Sequence, residues 1–306
     1  MSANTKIEWT DHTFNPWWGC SRVSPACRFC YADRDAKRHG FQVWRRHGER
    51  RMLSDNNWRQ PVRWNRKAEK AGVPEKVFCA SMADVFEEHP LLDEPRKRLW
   101  DLIEATPWLQ WQLLTKRPEN VAAMAPWGDS WPDHVWLGVS VETMRFANER
   151  IPLLLATPAK TRFLSCEPLL EELDLPWLLP WNRAVLHSNA YPDHILGPYG
   201  DRLTEIDCGS CDFDSADGIS WIICGGESGP KSRPTHLAWV RSLVEQCRSA
   251  DVAPFVKQLG AAWAKDSYVG GKSVFGLGDR KGGDWEYWPE DLQVRAFPAP
   301  ATAGAR

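Results

Sequence analysis

Residues 135–169 read VWLGVSVETMRFANERIPLLLATPAKTRFLSCEPL. The apolar run Val135–Val139 closes on the polar residues Ser140 and Glu142, and Thr143 to Leu155 then carries apolar side chains at helical spacing. A second short run, Arg162-Phe163-Leu164-Ser165, is again followed by an acid, Glu167. Strand, helix and strand in that order make a βα unit. Working outward, the same rhythm recurs at Val77-Phe78-Cys79-Ala80, Trp111-Gln112-Leu113-Leu114, Ile219-Ser220-Trp221-Ile222-Ile223 and Pro254-Phe255-Val256, with an earlier run at Lys6-Ile7-Glu8-Trp9. Further helices are expected at Asp93 to Ala105, Pro118 to Met124 and Thr235 to Ala250. Alternation of this kind predicts a mostly parallel sheet with right-handed crossovers. No Gly-x-Gly-x-x-Gly turn follows the first run, so the expected class is α/β, a TIM-like full or partial (β/α) barrel with loop insertions, and not an open dinucleotide-binding sheet.

Length and composition agree with one large core: 306 residues, 43% of them hydrophobic. A single barrel domain is expected over residues 1–260, with a C-terminal extension over 261–306 that is disordered from about Pro298. The net charge of -2 excludes a uniformly basic nucleic-acid coat but leaves room for a local basic patch. The opening residues lack a basic start followed by an apolar run, and no stretch has the length of a membrane span, so a cytoplasmic protein without membrane attachment is expected.

Two segments break the rhythm and read as insertions. Residues 34–70 hold twelve Lys or Arg against four acids, a net +8, interleaved with Phe41, Trp44, Trp58 and Trp64. Residues 176–218 are rich in Pro, Asp and Gly and contain Cys208 and Cys211, half of a zinc site or of an auxiliary cluster, with His187 and His194 upstream in the same insertion as candidates to complete a four-ligand set.

Nine cysteines are an odd number, and three crowd into residues 20–30, CSRVSPACRFC, which argues for metal ligation in a reducing compartment. Thiolates suit zinc or iron-sulfur clusters. Cys20, Cys27 and Cys30 are one ligand short of a closed zinc site, which implies an open coordination position. Cys79, Cys166, Cys224 and Cys247 fall on expected strands or a helix, where a free cysteine acts as a small hydrophobe.

With Phe29 before the last cysteine, this segment resembles the cluster loop of the radical S-adenosylmethionine superfamily, Cys-x3-Cys-x-aromatic-Cys, although the first gap here is six residues. The stretches KIEWTDHTFNPWWGC, CRFCYA, LLTKRPE, VWLGVSVE, FLSCEPL, IICGGESGP and PFVKQLG, between residue 6 and about 260, look more closely like a phage- and bacteria-associated family of unknown function related to that superfamily. The resemblance implies a [4Fe-4S] cluster on Cys20, Cys27 and Cys30, S-adenosylmethionine as cofactor, and an electron donor as partner.

A barrel's active site forms at the C-terminal ends of its strands. The residues there are Ser81 and Asp84; Thr115, Lys116 and Arg117; Ser140 and Glu142; Glu167; Gly225-Gly226-Glu227-Ser228; and Lys257. By the resemblance, Ser140 and Glu142 are placed at the cofactor's ribose, Asp84 at its amino group and Phe29 beside the cluster. Glu227, Lys116 and Glu167 are the candidate catalytic residues, and Tyr31 or Cys166 candidate hydrogen-atom relays. A capping or ion-paired role is the bland alternative for each.

Nineteen tryptophans and the +8 segment add a nucleic-acid substrate as a candidate partner, since aromatic faces stack on bases while Arg and Lys hold phosphates. The rival readings are a non-catalytic nucleic-acid-binding protein with a structural cluster, and a zinc-bound interaction module.

Overall fold

The structure, a computed structural model, describes residues 5–178 and 218–299. Cys208, Cys211, His187 and His194, and the tail from residue 300, lie outside the described residues. Seven strands form one sheet whose spatial order is the order of the chain: β1 (His12–Thr13), β2 (Glu75–Cys79), β3 (Leu109–Thr115), β4 (Val135–Ser140), β5 (Thr161–Cys166), β6 (Ile219–Gly225) and β7 (Ala253–Gln258). Every neighbouring pair is parallel. A sheet wound in one direction, without reversal of strand order, is a partial (β/α) barrel.

Its curl is visible in the ring contacts. The Trp9 ring lies 4.5 Å from Phe78 on β2 and 5.9 Å from Trp221 on β6. Four strand spacings in a flat sheet would hold β2 and β6 roughly 19 Å apart. Alternation along the strands sets the two faces. Phe78, Trp136, Phe163, Trp221, Ile223 and Phe255 point into the barrel and pack with Trp9 into a dry aromatic floor. Their neighbours Val77, Leu137, Val139, Leu164, Ile222 and Val256 point outward into the core beneath the helices. Gly138 belongs to the inner set and has no side chain because the Phe163 ring occupies that space.

The expected strand at 6–9 is corrected: the first sheet strand is His12–Thr13. Ile7 to Thr10 make a turn, with the Thr10 amide donating to the Ile7 carbonyl at 3.4 Å, and that turn carries Trp9 into the interior. The other six strands and the expected helices fall where the periodicity places them, at Asp93–Glu104, Met144–Leu155 and Leu237–Ser249, with a short 3-10 turn and helix over Pro118–Met124. Asp93 and Glu94 occupy the first turn of their helix, where its dipole favours acids.

The basic segment connects β1 to β2 and ends in the helix Gln60–Ala71, closed by Gly72 at φ +68. Trp58 and Trp64 are therefore core residues and not free stacking platforms. Trp58 packs edge-on against Phe14 at 5.4 Å, and Trp64 stacks on His12 at 4.2 Å. Beyond β7, Val256 N donates to Val294 O at 2.8 Å and Ala296 N to Pro254 O at 2.9 Å, so the chain after residue 261 returns to cover the sheet's free edge. Among the described residues no helix is long and apolar enough to cross a membrane.

Candidate active site

The strand ends and the cysteine loop open on one pocket. Its lining includes Cys20, Cys27, Phe29 and Cys30 from the loop, Asp84 after β2, Lys116 after β3, Ser140 on β4, Glu167 after β5, Glu227 after β6 and Lys257 on β7. Of the residues singled out in the sequence, the structure turns Glu142 and Cys166 elsewhere. Glu142 is fully buried and pairs with Arg150 on the following helix at 3.0 Å, while its Oε1 has no partner among the described residues. Cys166, the candidate relay, faces the outer core, whereas Tyr31 lines the pocket and donates from its hydroxyl to the Ser81 carbonyl at 2.9 Å.

The cysteine loop is anchored by a buried network of charges. Arg117 donates to the Cys20 sulfur at 3.4 Å, to Asp84 at 2.9 Å, and to the Ser21 carbonyl and hydroxyl at 2.8 Å each. Glu87 accepts from the Ser21 amide at 2.7 Å and is gripped from behind by Arg50 through two bonds of 2.8 Å. Arg50 also donates to the carbonyls of Arg45 and Gly48, holding the turn of the basic segment against the loop. Gly19 lets the chain pass: its φ is +118, and a Cβ there would stand 2.6 Å from the Val43 carbonyl and 2.9 Å from the Arg50 side chain. Arg50 and Glu87 carried no signal in the sequence, since a glutamate past a strand and an arginine in a basic run both read as solvated.

Burial pushes the Cys20 thiol up to about 12, against the opposing charge of Arg117. Burial also raises Cys30. At Cys27 burial acts the same way but is outweighed by the Lys116 charge and by hydrogen bonds from Val23 and Ser24, leaving the thiol below its ordinary value. The three thiols are free. Among the described residues no three His, Cys, Asp or Glu side chains stand at the spacing of ligands around a single metal ion. A four-iron cluster takes each thiolate on a different iron, so its ligands surround a cage and not a point. The lining holds no histidine and no fourth cysteine. Three thiols alone fit a cluster with one iron left open, and fall short of the four ligands of a structural zinc site.

The pocket's acids are neutralised in place. Asp84 pairs with Arg117 at 2.9 Å, and its two oxygens also accept from the Thr115 hydroxyl at 2.8 Å and the Lys116 amide at 3.0 Å. Glu167 takes both bonds from Lys257 at 2.8 and 2.9 Å. Glu227 is clamped by Arg233 through its amide and guanidinium, the shortest contact being 2.6 Å. Lys116 has no carboxylate partner among the described residues: its ammonium donates to the Ser140 hydroxyl at 2.9 Å and faces Cys27. Gly226 brings the β6 and β7 ends together, since a Cβ there would strike the Leu259 and Gly260 backbone.

With that geometry in place, a family model described as "Protein of unknown function (DUF5131)" matches residues 4–289. The chain belongs to this family. Comparison with curated proteins finds no match. A solved double mutant of spore photoproduct lyase, with bound AdoMet and a dinucleoside spore photoproduct, is similar at 12% identity and a TM-score of 0.40, over 78% of this chain and 72% of that one. The DUF5131 match spans the cysteine loop and every strand of the sheet.

Proposed function

We infer that this DUF5131 protein is an iron-sulfur enzyme of the radical S-adenosylmethionine type, modifying or repairing a substrate for which a nucleic acid or nucleotide is the candidate class. The observation that carries the reading is the meeting of three loop thiols with the polar ends of six strands in one pocket that offers no fourth thiolate or imidazole.

In this reading Cys20, Cys27 and Cys30 hold a [4Fe-4S] cluster. When bound and reduced, that group would supply the one-electron cleavage of S-adenosylmethionine on which hydrogen-atom abstraction depends. The chain's own part is to bind, orient and exclude water. Arg117 and Glu87 fix the first turn of the loop, and the aromatic floor beneath Ser140 and Lys257 keeps the pocket dry on its inner side. Lys116, the lining cation without a carboxylate, is placed to hold an anionic group of the cofactor or to balance the charge of the thiolates. Asp84 acts as a positioning residue, because its oxygens are already filled. The Glu167–Lys257 pair, at 2.8 Å, presents a carboxylate and an ammonium to a ligand between β5 and β7.

The test is anaerobic reconstitution with iron and sulfide, dithionite reduction, and assay of 5'-deoxyadenosine, comparing wild type with Cys27→Ala. Product from wild type alone is expected. An intact, reducible four-iron cluster that yields none, with or without DNA or RNA present, would exclude the enzyme and favour a nucleic-acid-binding protein with a structural cluster.

A further inference from the structure

Two adjacent arginines in the basic segment are used in opposite ways. Arg50 is buried and committed to Glu87 and to main-chain carbonyls. Arg51 turns outward on the short ribbon in which Arg51–Met52 pairs antiparallel with Trp17–Trp18. Its guanidinium lies 4.6 Å from the Trp18 ring and 4.2 Å from the Phe41 ring, and those rings meet edge-to-face at 5.9 Å. Neither a carboxylate nor any hydrogen-bond acceptor among the described residues reaches it. The Trp18 indole N–H, which is buried, also lacks an acceptor among them.

A guanidinium in that state is an anion receptor. The two rings fix its plane, so little freedom is lost on binding, and weak hydration lowers the cost of stripping water from it. Its planar fork matches two oxygens of a phosphate. Arg51 and Trp18 line a surface concavity with Met52, Leu53, Ser54 and Asn57, which supply a hydroxyl, an amide and an apolar wall beside the fork. Asp55, next in the chain, is taken by Arg98 at 2.7 Å and does not compete.

We propose that this concavity binds the phosphodiester backbone of a single-stranded nucleic acid, with Arg51 holding one phosphate and the Trp18–Met52 wall receiving an adjoining base. A chain of phosphates is favoured over a lone anion by the charge of the same segment, in which Arg46, Arg59, Arg63 and Arg66 are exposed and have no carboxylate partner among the described residues, so that they are open to further phosphates. The concavity lies beside the entrance to the cysteine loop, since Trp18 is two residues from Cys20. Binding here does not depend on the cluster chemistry, so failure of one leaves the other standing.

The experiment is fluorescence anisotropy of a labelled single-stranded DNA oligonucleotide with the full chain, purified anaerobically, over a series of salt concentrations. Arg51→Ala is expected to weaken binding about tenfold and to lower the slope of log affinity against log salt by about one. Arg51→Lys, which keeps the charge and loses the fork, should recover part of the affinity, while Arg145→Ala, whose guanidinium is already paired with Glu149 and does not line the concavity, should bind as wild type does. An oligonucleotide of the same sequence with a neutral methylphosphonate backbone should bind wild type far more weakly, and this comparison decides the matter should Arg51→Ala fail to fold. Wild-type affinity and salt slope in Arg51→Ala, equal binding of the neutral oligonucleotide, or no binding at low salt would each overturn the proposal. Displacement of the oligonucleotide by inorganic phosphate more effectively than by chloride at equal ionic strength would assign the concavity to free phosphate and overturn the nucleic-acid assignment.

Discussion

The molecule keeps its described cysteines in two places, and the contrast shows how position decides what a thiol is for. Cys20, Cys27 and Cys30 sit half-buried on a loop at the barrel mouth, with Arg117 on one sulfur and Lys116 facing another. Cys79, Cys166, Cys224 and Cys247 are buried behind the sheet. Burial drives Cys79, Cys166 and Cys224 well above the ordinary thiol value and Cys247 up to about 12, and no basic group opposes it. The first set faces a pocket in which positive charge opposes burial at Cys20 and outweighs it at Cys27, so a metal can be reached. The second set does the work of small apolar side chains.

The largest effect that sharpens this comparison is on metal content. Cys27→Ala should bring anaerobically reconstituted protein from about four irons per chain to less than one, whereas Cys224→Ala should leave the iron unchanged. Equal loss in both would break the distinction. Next comes the scaffold under the loop. Glu87→Ala strands the buried guanidinium of Arg50 and is expected to cost about 3–5 kcal/mol in urea unfolding, with poorer iron retention as the Ser21 anchor goes. A loss under about 1 kcal/mol would mean that the network is solvated. Smaller still, Gly138→Ala forces a methyl onto the Phe163 ring and should cost about 1–3 kcal/mol by thermal or urea unfolding. Smallest is Cys224→Ala itself, at about 1 kcal/mol from a modest cavity behind the sheet. A destabilisation greater than that of Glu87→Ala would give the sheet thiols a structural weight that this account denies them.

Much of this was legible because the strands are short, apolar and closed by polar residues. Val135–Ser140 and Thr161–Cys166 lie where their runs place them, and the polar residues after the strands converge because parallel strands share a C-terminal end. The first strand differs from expectation because Ile7 and Trp9 alternate as strand residues do, yet the indole is needed as a plug in the barrel floor. Glu142 differs from expectation for a related reason: strand position puts it at the mouth, but Arg150, eight residues on, draws its carboxylate under the helix. Arg50 and Glu87 are separated by 37 residues, and a pairing at that distance leaves no local pattern to read. Basic surroundings likewise conceal the packing of Trp58, which ends the short helix Asp55–Trp58, and of Trp64 on Gln60–Ala71.

The most direct measurement of the central claim, that three loop thiols hold a four-iron cluster with one iron open to S-adenosylmethionine, is electron paramagnetic resonance of the anaerobically purified, dithionite-reduced full chain, with iron, sulfide and zinc determined on the same sample. The account predicts about four irons and four sulfides per chain and a reduced-cluster signal whose shape changes when S-adenosylmethionine is added. One tightly held zinc with no labile sulfide would contradict it, as would a cluster signal that S-adenosylmethionine leaves unaltered.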